Sequence, residues 1–321
     1  MFGIAISAVA FYFALRNVEM SALLESVFSA DPVWMIVVIV AYVIHFWLKA
    51  LRWCDLLEPV YKARSSEAYP VMMTGFFANN FLPAHLGEFV RMYVGSRFFR
   101  LRKTEVFATI VLERILDFSV IALMFGGALI TGHAISEQLV YAGQALIGLT
   151  VTAWVVIFIA LRFESSALRL VHWLITPIPD RIGARFESMV SLAMRAMHSL
   201  KSVRLVSRVV VLSLLQWALV GMAVYAALVS VDVEIGISGA IVALAATVLA
   251  VSLPAAPGFF GTIQLAFVLA LVPFGVSEND ALAGSVIFHI ISYTIVMISG
   301  VMALQKLNIR LADIRSSVDQ S

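Results

Sequence analysis

The sequence contains one cysteine, Cys54. A single cysteine excludes an internal disulfide and any metal site that needs several cysteine ligands. The sequence also lacks the HExxH, GxSxG and GxxxxGK motifs and any cluster of cysteine with histidine. Those signatures mark zinc proteases, serine hydrolases and nucleotide-binding loops, so nothing here predicts a metal, a nucleotide or another cofactor. We also expect no nucleic-acid partner.

Charged residues are also scarce. Charged residues make up 13% of the chain, about half of the ~25% of an ordinary soluble domain. Hydrophobic residues make up 62%, and the mean hydropathy is +0.98. These values are typical of a chain surrounded by lipid, and the length allows about seven to nine crossings at roughly 20 residues each. The predicted fold class is therefore an all-α polytopic membrane protein.

The apolar runs define the predicted crossings, and the basic residues between them define the orientation. Loops rich in Lys and Arg stay in the cytoplasm, which places the loops after the second and fifth runs inside. Lys49, Arg52, Lys62 and Arg64 are assigned to the first of these loops. The connections 131–138, 231–236 and 275–280 contain no Lys or Arg and are predicted to lie outside, together with 17–32. The runs are 2–16, 33–51, 67–82, 107–131, 139–161, 206–231, 237–253, 259–274 and 281–304.

Two segments do not fit a simple series of crossings. Segment 67–105 starts and ends at basic loops, so it is predicted to be a re-entrant hairpin entering from the cytoplasm. Segment 237–274 starts and ends at acidic outside loops. It is either a hairpin from the opposite face or a pair of short full crossings, and the sequence leaves that choice open.

The two hairpins also resemble each other, since Leu82-Pro-Ala-His-Leu-Gly87 matches Leu253-Pro-Ala-Ala-Pro-Gly258. Broken segments at corresponding places in two halves indicate an inverted-repeat transporter. We therefore predict one membrane domain, 1–321, with a first half at 1–131, a second half at 206–321 and a cytoplasmic amphipathic linker at 163–205. Two unrelated proline kinks are the alternative. Proline and glycine are expected to shape the breaks; these residues are Pro83, Gly87, Pro254, Pro257, Gly258 and Gly261.

The first break carries polar residues that could bind an anionic headgroup. Glu88 and Arg91 are three residues apart, so on a helix they share a face and can pair with each other. The half-helix that begins near Pro83 offers free backbone amides at the positive end of its dipole, and Asn80 and His85 could add donors. The alternative is a structural ion pair that anchors the hairpin.

A second group lies deep in the next helix, at Glu113, Arg114 and Asp117. A charge at the bilayer centre costs about 2.5–3.5 kcal/mol on insertion scales, so three close together imply mutual pairing or a polar cavity. Arg114 is expected either to neutralise the two acids or to cross to Glu88. The group is either a structural network or a path for substrate or protons. In the second hairpin Gln264 is a candidate ligand or an interhelix contact.

The linked motifs resemble the flippase-like transmembrane domain of lysylphosphatidylglycerol synthases. The resemblance spans nearly the whole chain and rests on Asn80, Pro83, Gly87, Glu88 and Arg91, then Glu113, Arg114 and Asp117, then Leu253, Pro254, Pro257, Gly258, Gly261 and Gln264. It implies a polytopic helical fold that moves lipids between leaflets, such as aminoacylated phosphatidylglycerol, with related members tied to hopanoid, glycolipid or polyprenyl lipids. This chain has His85 where the family often has Arg or Lys, and Gln264 where it often has Glu, so the lipid handled is expected to differ. It ends about seventeen residues after its last apolar run, and because no soluble aminoacyl-transferase domain follows, lipid aminoacylation is not predicted.

The leading hypothesis is a lipid flippase-like transporter, not an enzyme, in the inner (cytoplasmic) membrane. Arg91 and Arg114 would contact a lipid phosphate, and Asn80 would donate hydrogen bonds. Glu88 and Asp117 would either hold those arginines or contact a cationic group of the headgroup. Without a nucleotide motif, movement would be downhill or coupled to an ion gradient, with Glu88 or Glu113 carrying protons. The expected partners are membrane lipids, either phospholipids or polyprenyl lipids and glycolipids. A homo-oligomer and a separately encoded lipid-modifying enzyme stay open.

Three rival functions remain at this point. One is a secondary transporter of a small anionic solute. Another is an intramembrane lipid-modifying enzyme that uses Glu88 or Asp117 as acid or base. The third is a membrane scaffold without catalytic activity, in which the buried charges would tolerate neutral substitution.

Overall fold

The computed structural model describes residues 2–16, 18–82, 86–130, 137–163, 203–252 and 256–309, and within these ranges the regular elements are helices. The all-α polytopic class is therefore confirmed. Five described segments are long and apolar enough to cross a membrane: Pro32–Leu57, Leu139–Ile159, Val203–Val229, Pro257–Phe274 and Glu278–Leu307. The helices are α1 (Phe2–Leu15), α2 (Met20–Phe28), α3 (Pro32–Leu57), α4 (Ser65–Asn79), α5 (Gly87–Phe98), α6 (Lys103–Ile130), α7 (Glu137–Arg162), α8 (Val203–Val229), α9 (Ile237–Ser252), α10 (Thr262–Leu271) and α11 (Glu278–Leu307).

Helix lengths follow the same order in two parts of the chain. From α3 to α6 the helices have 26, 15, 12 and 28 residues. From α8 to α11 they have 27, 16, 10 and 30 residues. At 1.5 Å per residue, α4 and α5 are only about 22 and 18 Å long, shorter than the ~30 Å of a bilayer core. Neither crosses alone, which supports a re-entrant hairpin in the first set.

Helix packing is unchanged when the two sets are exchanged. Within each set the first arm of the hairpin packs on its long helix and on the second arm, which packs on the closing helix. Between the sets, α4 packs on α11 and α9 packs on α6, while α3 and α8 pack along each other. The same correspondence holds for α3 with α11 and α8 with α6. This agreement adds support for two related halves, which the short sequence match alone left weak.

Helix α3 is longer than predicted, and this corrects the assignment of Lys49 and Arg52 to a loop. The helix begins at Pro32, where the Asp31 side chain accepts a hydrogen bond from the backbone nitrogen of Val33 at 2.7 Å, and it ends at Leu57. Lys49 and Arg52 are 3% and 0% exposed within it. The predicted run stopped at 51 because cationic residues lower the hydropathy, although these two are buried against acids of another helix.

Another correction concerns the connection predicted at 17–32, because it contains α2, which packs on α11.

The arms of the first hairpin approach closely at Gly75 and Gly87. A Cβ on Gly87 would overlap the Gly75 carbonyl oxygen, and a Cβ on Gly75 would lie 2.9 Å from the Gly87 carbonyl oxygen. Glycine at both positions therefore allows α5 to fold back against α4.

The second hairpin breaks between α9 and α10. A short 3₁₀ turn, Pro257–Phe259, follows the break, and Gly258 and Gly261 have φ angles of +75° and +81°. Glycine tolerates this left-handed region without the Cβ clash that other residues meet. Gly258 and Gly261 thus lie where the chain needs positive φ angles, and Pro257 begins the turn; the role of these three residues in shaping the break stays a prediction. Pro83, His85, Pro254 and most of the predicted linker 163–205 lie outside the described residues.

Candidate functional site

The first residue of α5 is held by the last residue of α4. The Asn79 side-chain oxygen accepts a hydrogen bond from the backbone N–H of Gly87 at 2.8 Å. This bond satisfies one of the free amides at the start of α5. It sets the position from which Glu88 and Arg91 project.

Arg91 is buried, with 1% of its surface exposed, and it pairs with Glu113 of α6. Its Nη1 and Nη2 atoms donate to the two carboxylate oxygens of Glu113 at 3.1 and 2.8 Å. The guanidinium carbon lies 3.9 Å from the centroid of the Trp53 ring, a stacking geometry favourable for arginine. The Trp53 indole in turn donates to the Thr109 hydroxyl at 3.0 Å. Arg91 is therefore fixed in orientation on two sides.

Helix α3 brings two more cations to the acids of α6. The Lys49 Nζ atom lies 3.1 Å from a Glu113 oxygen and 2.9 Å from a carboxylate oxygen of Asp117. The Arg52 Nη2 atom lies 2.8 Å from the other Asp117 oxygen and 3.9 Å from Glu113. Lys49, Arg52, Arg91, Glu113 and Asp117 form what we call the buried charge cluster.

Helix α8 completes the coordination of Asp117. The Gln216 side-chain amide and the Trp217 indole each donate to Asp117 Oδ1 at 3.0 Å. From the same helix, the Ser213 hydroxyl accepts a bond from Arg52 Nη1 at 2.9 Å. The cluster therefore joins α3, α5, α6 and α8, with helices of both sets meeting at one carboxylate.

The cluster contains three cationic and two anionic side chains, which leaves one positive charge in excess. All five side chains are at most 4% exposed. Two guanidinium nitrogens, Nε of Arg52 and Nε of Arg91, have neither a hydrogen-bond nor an ion-pair partner among the described residues. An uncompensated buried charge is costly unless a counter-ion or a polar ligand approaches it. The arrangement is thus suited to accept an anion.

A second ion pair lies beside the cluster and is more accessible. Arg114 of α6 donates to Glu88 of α5, and the two side chains are 37% and 16% exposed. We call this the rim pair. It carries no net charge.

The structure brings together five of the predicted site residues, Glu88, Arg91, Glu113, Arg114 and Asp117. The predicted pairing of Glu88 with Arg91 within α5 is wrong, because each residue instead pairs across to α6. Of the two partners considered for Arg114, Glu88 is the one observed. Helix-face spacing alone could not reveal that a neighbouring helix offers stronger partners.

Asn80 keeps a free donor at the first break. Its Nδ2 atom is buried and has no hydrogen-bond partner among the described residues. It therefore remains a candidate donor to a ligand. The predicted donor His85 lies outside the described residues.

Gln264 is separate from the charge cluster and belongs to a neutral hydrogen-bond chain. Its Oε1 atom accepts from the backbone N–H of Gly261 at 2.8 Å, and its Nε2 atom lies 3.0 Å from Nδ1 of His289. The His289 Nε2 atom lies 2.8 Å from the Gly258 carbonyl oxygen. An amide nitrogen only donates and a carbonyl oxygen only accepts, so this chain requires a neutral His289 with its proton on Nε2.

An apolar cavity lies next to the second break. It has a volume of about 550 Å³ and is lined by residues of α1, α6, α7, α9 and α10. Ser252 and Thr262, which flank the break, are its only polar lining residues in the described part of the chain. In a bilayer, a cavity of this chemistry suits a hydrocarbon chain.

The sequence interpretation missed the residues that two helices bring to the site: Lys49 and Arg52 on α3, and Ser213, Gln216 and Trp217 on α8. A usable signal was present, because residues 49 and 52 are three apart and so share a helix face. The acids at 113 and 117 are four apart and also share a face. Two such acids in an apolar helix require counter-charges.

Metal binding has little support in the described ranges, where no three His, Cys, Asp or Glu side chains are grouped to hold an ion. The acids of the cluster are instead engaged by cations and by N–H donors of the protein.

Comparison with known proteins agrees with this architecture. Two proteins of Methanothermobacter thermautotrophicus, each named "UPF0104 membrane protein", are similar to this chain. One is 24% identical over 294 residues, covering 86% of this chain and 86% of the relative. The other is 26% identical over 298 residues, covering 87% and 85%. Residues 1–300 match the profile of the family described as "Lysylphosphatidylglycerol synthase TM region". The chain is therefore a multi-pass membrane protein that belongs to the lysylphosphatidylglycerol synthase transmembrane-region family.

Proposed function

We propose that this protein moves a lipid with a phosphate-containing headgroup between the leaflets of the cytoplasmic membrane. The observation that carries the proposal is the excess positive charge of the buried charge cluster, which adjoins a helix break. Charged groups among membrane helices are costly and generally mark a substrate or ion path. Two sets of helices with matching packing, each containing a broken hairpin, are the architecture in which such a path lies between the halves.

In this proposal the headgroup reaches the cluster by way of the rim pair. Arg114 is the more exposed member and meets the phosphate first, while Glu88 holds its guanidinium in place. Arg91 then contacts the phosphate deeper in the protein, beside Lys49 and Arg52. Asn80 supplies a neutral donor from the end of α4. Opposite charge favours entrance of an anion, and the acids limit how tightly it is held.

The hydrocarbon tails stay in an apolar environment throughout. The cavity of about 550 Å³ beside the second break offers such an environment inside the protein, and many apolar side chains on the outer helix surfaces face the surroundings. A polar path for the headgroup next to apolar space for the tails fits an amphipathic substrate better than a small soluble ion.

The family assignment supports a lipid substrate in general terms. The family description names a lysylphosphatidylglycerol synthase, an activity that concerns a membrane lipid. We propose that the present chain transports lipid and does not alter it chemically. A separately encoded lipid-modifying enzyme would then be a natural partner. Transport would run downhill or with an ion gradient.

The test is lipid movement in liposomes that contain purified protein. Fluorescent phospholipids are placed in both leaflets, and a membrane-impermeant quencher then reports how fast inner-leaflet lipid becomes accessible. Arg114→Ala is the informative variant, since a half-exposed side chain can be removed with little effect on folding. Arg97→Ala is the matched control, because Arg97 is exposed on the same hairpin helix as Glu88.

Wild type and Arg97→Ala should accelerate quenching over empty liposomes, and Arg114→Ala should lose most of this acceleration. The proposal fails if wild type and empty liposomes do not differ for any of several headgroups, with and without a proton gradient. Equal rates for Arg114→Ala and wild type would remove the rim pair from the path. Accumulation of a covalently altered lipid would instead indicate an enzyme.

A further inference from the structure

We infer that the buried charge cluster selects a singly charged phosphodiester headgroup over phosphomonoesters, diphosphates and neutral headgroups. This inference rests on the proposed function and narrows its substrate class. It follows from the charge count of the cluster, from its free hydrogen-bond donors and from the position of its two acids.

The charge count sets the preferred ligand charge. With each side chain in its ordinary ionised form, Lys49, Arg52 and Arg91 outnumber Glu113 and Asp117 by one. The neighbouring rim pair does not alter this balance, since it joins one cation to one acid. A ligand with one negative charge therefore neutralises the site. A dianion would leave one uncompensated negative charge, and a neutral headgroup would leave the positive one, in surroundings that solvate neither.

The donors match the acceptors of a phosphodiester. The Nε atoms of Arg52 and Arg91 are buried, and no residue in the described part of the chain accepts a hydrogen bond from them. Both guanidinium groups lie near the same carboxylate, that of Glu113, with Nη2 atoms at 3.9 and 2.8 Å, so one anion between the two arginines could use donors of both. A phosphodiester has two non-bridging oxygens, which accept hydrogen bonds and donate none. Charge-assisted bonds from guanidinium to phosphate oxygen are among the strongest available in proteins.

The acids act against a second negative charge. Glu113 and Asp117 lie within the same cluster as the free donors, and like charges at such separations repel strongly where water is excluded. A phosphomonoester carries about −1.5 to −2 at neutral pH, so it would meet this repulsion. A diphosphate meets it as well. The acids are thus the specificity-determining part of the cluster, while the cations provide the attraction.

The experiment compares headgroups that carry the same fluorescent tails at pH 7.5. The lipids are phosphatidylglycerol, a phosphodiester with one charge, phosphatidic acid, a phosphomonoester, a polyprenyl diphosphate and an uncharged glycosyl diacylglycerol. Movement is measured in liposomes with wild type, Asp117→Asn and Lys49→Met, with Arg97→Ala as the control. Binding is read separately, from the rise in unfolding temperature when each lipid is added to protein in detergent micelles. Size-exclusion profiles verify that each variant is folded.

Wild type and Arg97→Ala should favour phosphatidylglycerol over each of the other three lipids by at least tenfold. Asp117→Asn raises the excess charge to two, so its ratio of phosphatidylglycerol to phosphatidic acid should fall at least tenfold. Lys49→Met removes the excess, so its preference for phosphatidylglycerol over the glycosyl lipid should be lost. If a variant does not fold, the order in which the four lipids raise the unfolding temperature of wild type still tests the inference. Rates and binding shifts within twofold across all headgroups would overturn the inference, as would an unchanged ratio in folded Asp117→Asn.

Two further arms separate the sources of failure. Soluble glycerophosphoglycerol, the headgroup without tails, should not be taken up and should compete only weakly; strong competition and uptake would assign the same phosphodiester site to a free solute. Selective binding of phosphatidylglycerol without any lipid movement would remove the proposed function and leave the inference intact. If the protein moves lipids at rates that do not depend on headgroup charge, the inference is refuted and the proposed function is kept.

Discussion

The pair of Arg91 with Glu113 should be strongly coupled in stability. Both side chains are buried and joined by two hydrogen bonds of 3.1 and 2.8 Å. Removing one partner of a buried pair typically costs about 3–5 kcal/mol. Glu113 also contacts Lys49 at 3.1 Å, so the loss of Arg91 alone should lie toward the lower end of this range, and Glu113→Gln, which leaves two positive charges in excess, toward the upper end. Arg91→Met also loses the stacking on Trp53, for which about 1–2 kcal/mol is typical. Each single variant, Arg91→Met or Glu113→Gln, should therefore lose about 3–5 kcal/mol of the free energy of unfolding.

The double variant should lose less than the sum of the two single losses. When both members are replaced, neither charge of the pair remains unpaired, and the overall excess of the cluster stays at one positive charge. We expect a coupling energy of about 2 kcal/mol or more. It is measured from equilibrium unfolding of the four proteins in mild detergent with increasing SDS.

The rim pair provides the matched comparison. Arg114→Met, Glu88→Gln and their combination form the same cycle at a site where Arg114 is 37% exposed. Solvent screening should reduce that coupling to below about 1 kcal/mol. If Arg91 and Glu113 were additive within about 0.5 kcal/mol, or if both cycles gave equal coupling, the account of the cluster as a buried network would be refuted.

Three shorter predictions concern individual contacts. Gly87→Ala should cost about 1–3 kcal/mol, because a Cβ there would overlap the backbone of the facing helix. Gly126→Ala, where the added Cβ would meet no atom of the described residues within 4 Å beyond its own stretch of helix, should leave the unfolding temperature equal or slightly higher. Nitrogen-15 solid-state NMR should find His289 neutral with its proton on Nε2, and a doubly protonated ring at pH 7 would contradict the hydrogen-bond chain. Trp217→Phe should cost about 1.5–3 kcal/mol by removing an N–H donor to Asp117, and an unchanged stability would show that this bond contributes nothing.

Hydropathy located most helices because lipid is the main solvent for this chain. The run predicted at 139–161 corresponds to a helix over Glu137–Arg162, and that at 206–231 to Val203–Val229. Hydropathy placed the end of α3 too early, and the reason is physical. Lys49 and Arg52 lower the mean hydropathy whether they lie in water or are buried against acids, so a window average cannot distinguish the two situations.

The pairing within the site shows a different limit. Spacing along one helix correctly placed Glu88 and Arg91 on a shared face, but both residues face α6, which presents an acid and a base of its own. A local rule assigns partners within the helix because it contains no information on which helix lies opposite. The ion pair between Glu88 and Arg114 could be found only once the fold of the hairpin was known, because that fold sets α5 beside α6. That fold depends on a close contact between Gly75 and Gly87, which no spacing rule anticipates.

The two breaks have the same place in the packing but opposite chemistry, and this asymmetry bears on how a lipid would cross. The first break adjoins ionised groups with one excess charge, whereas the second is held by the neutral chain of Gln264 and His289. Under the proposed function, a headgroup would therefore have one strong binding position among the described residues and not two equivalent ones. A transporter must also release what it binds, and three unopposed cations around a phosphate would hold it too tightly. Under the proposed function, Glu113 and Asp117 reduce the excess from three charges to one, which would keep the attraction large enough to draw the headgroup from water and small enough to let it leave.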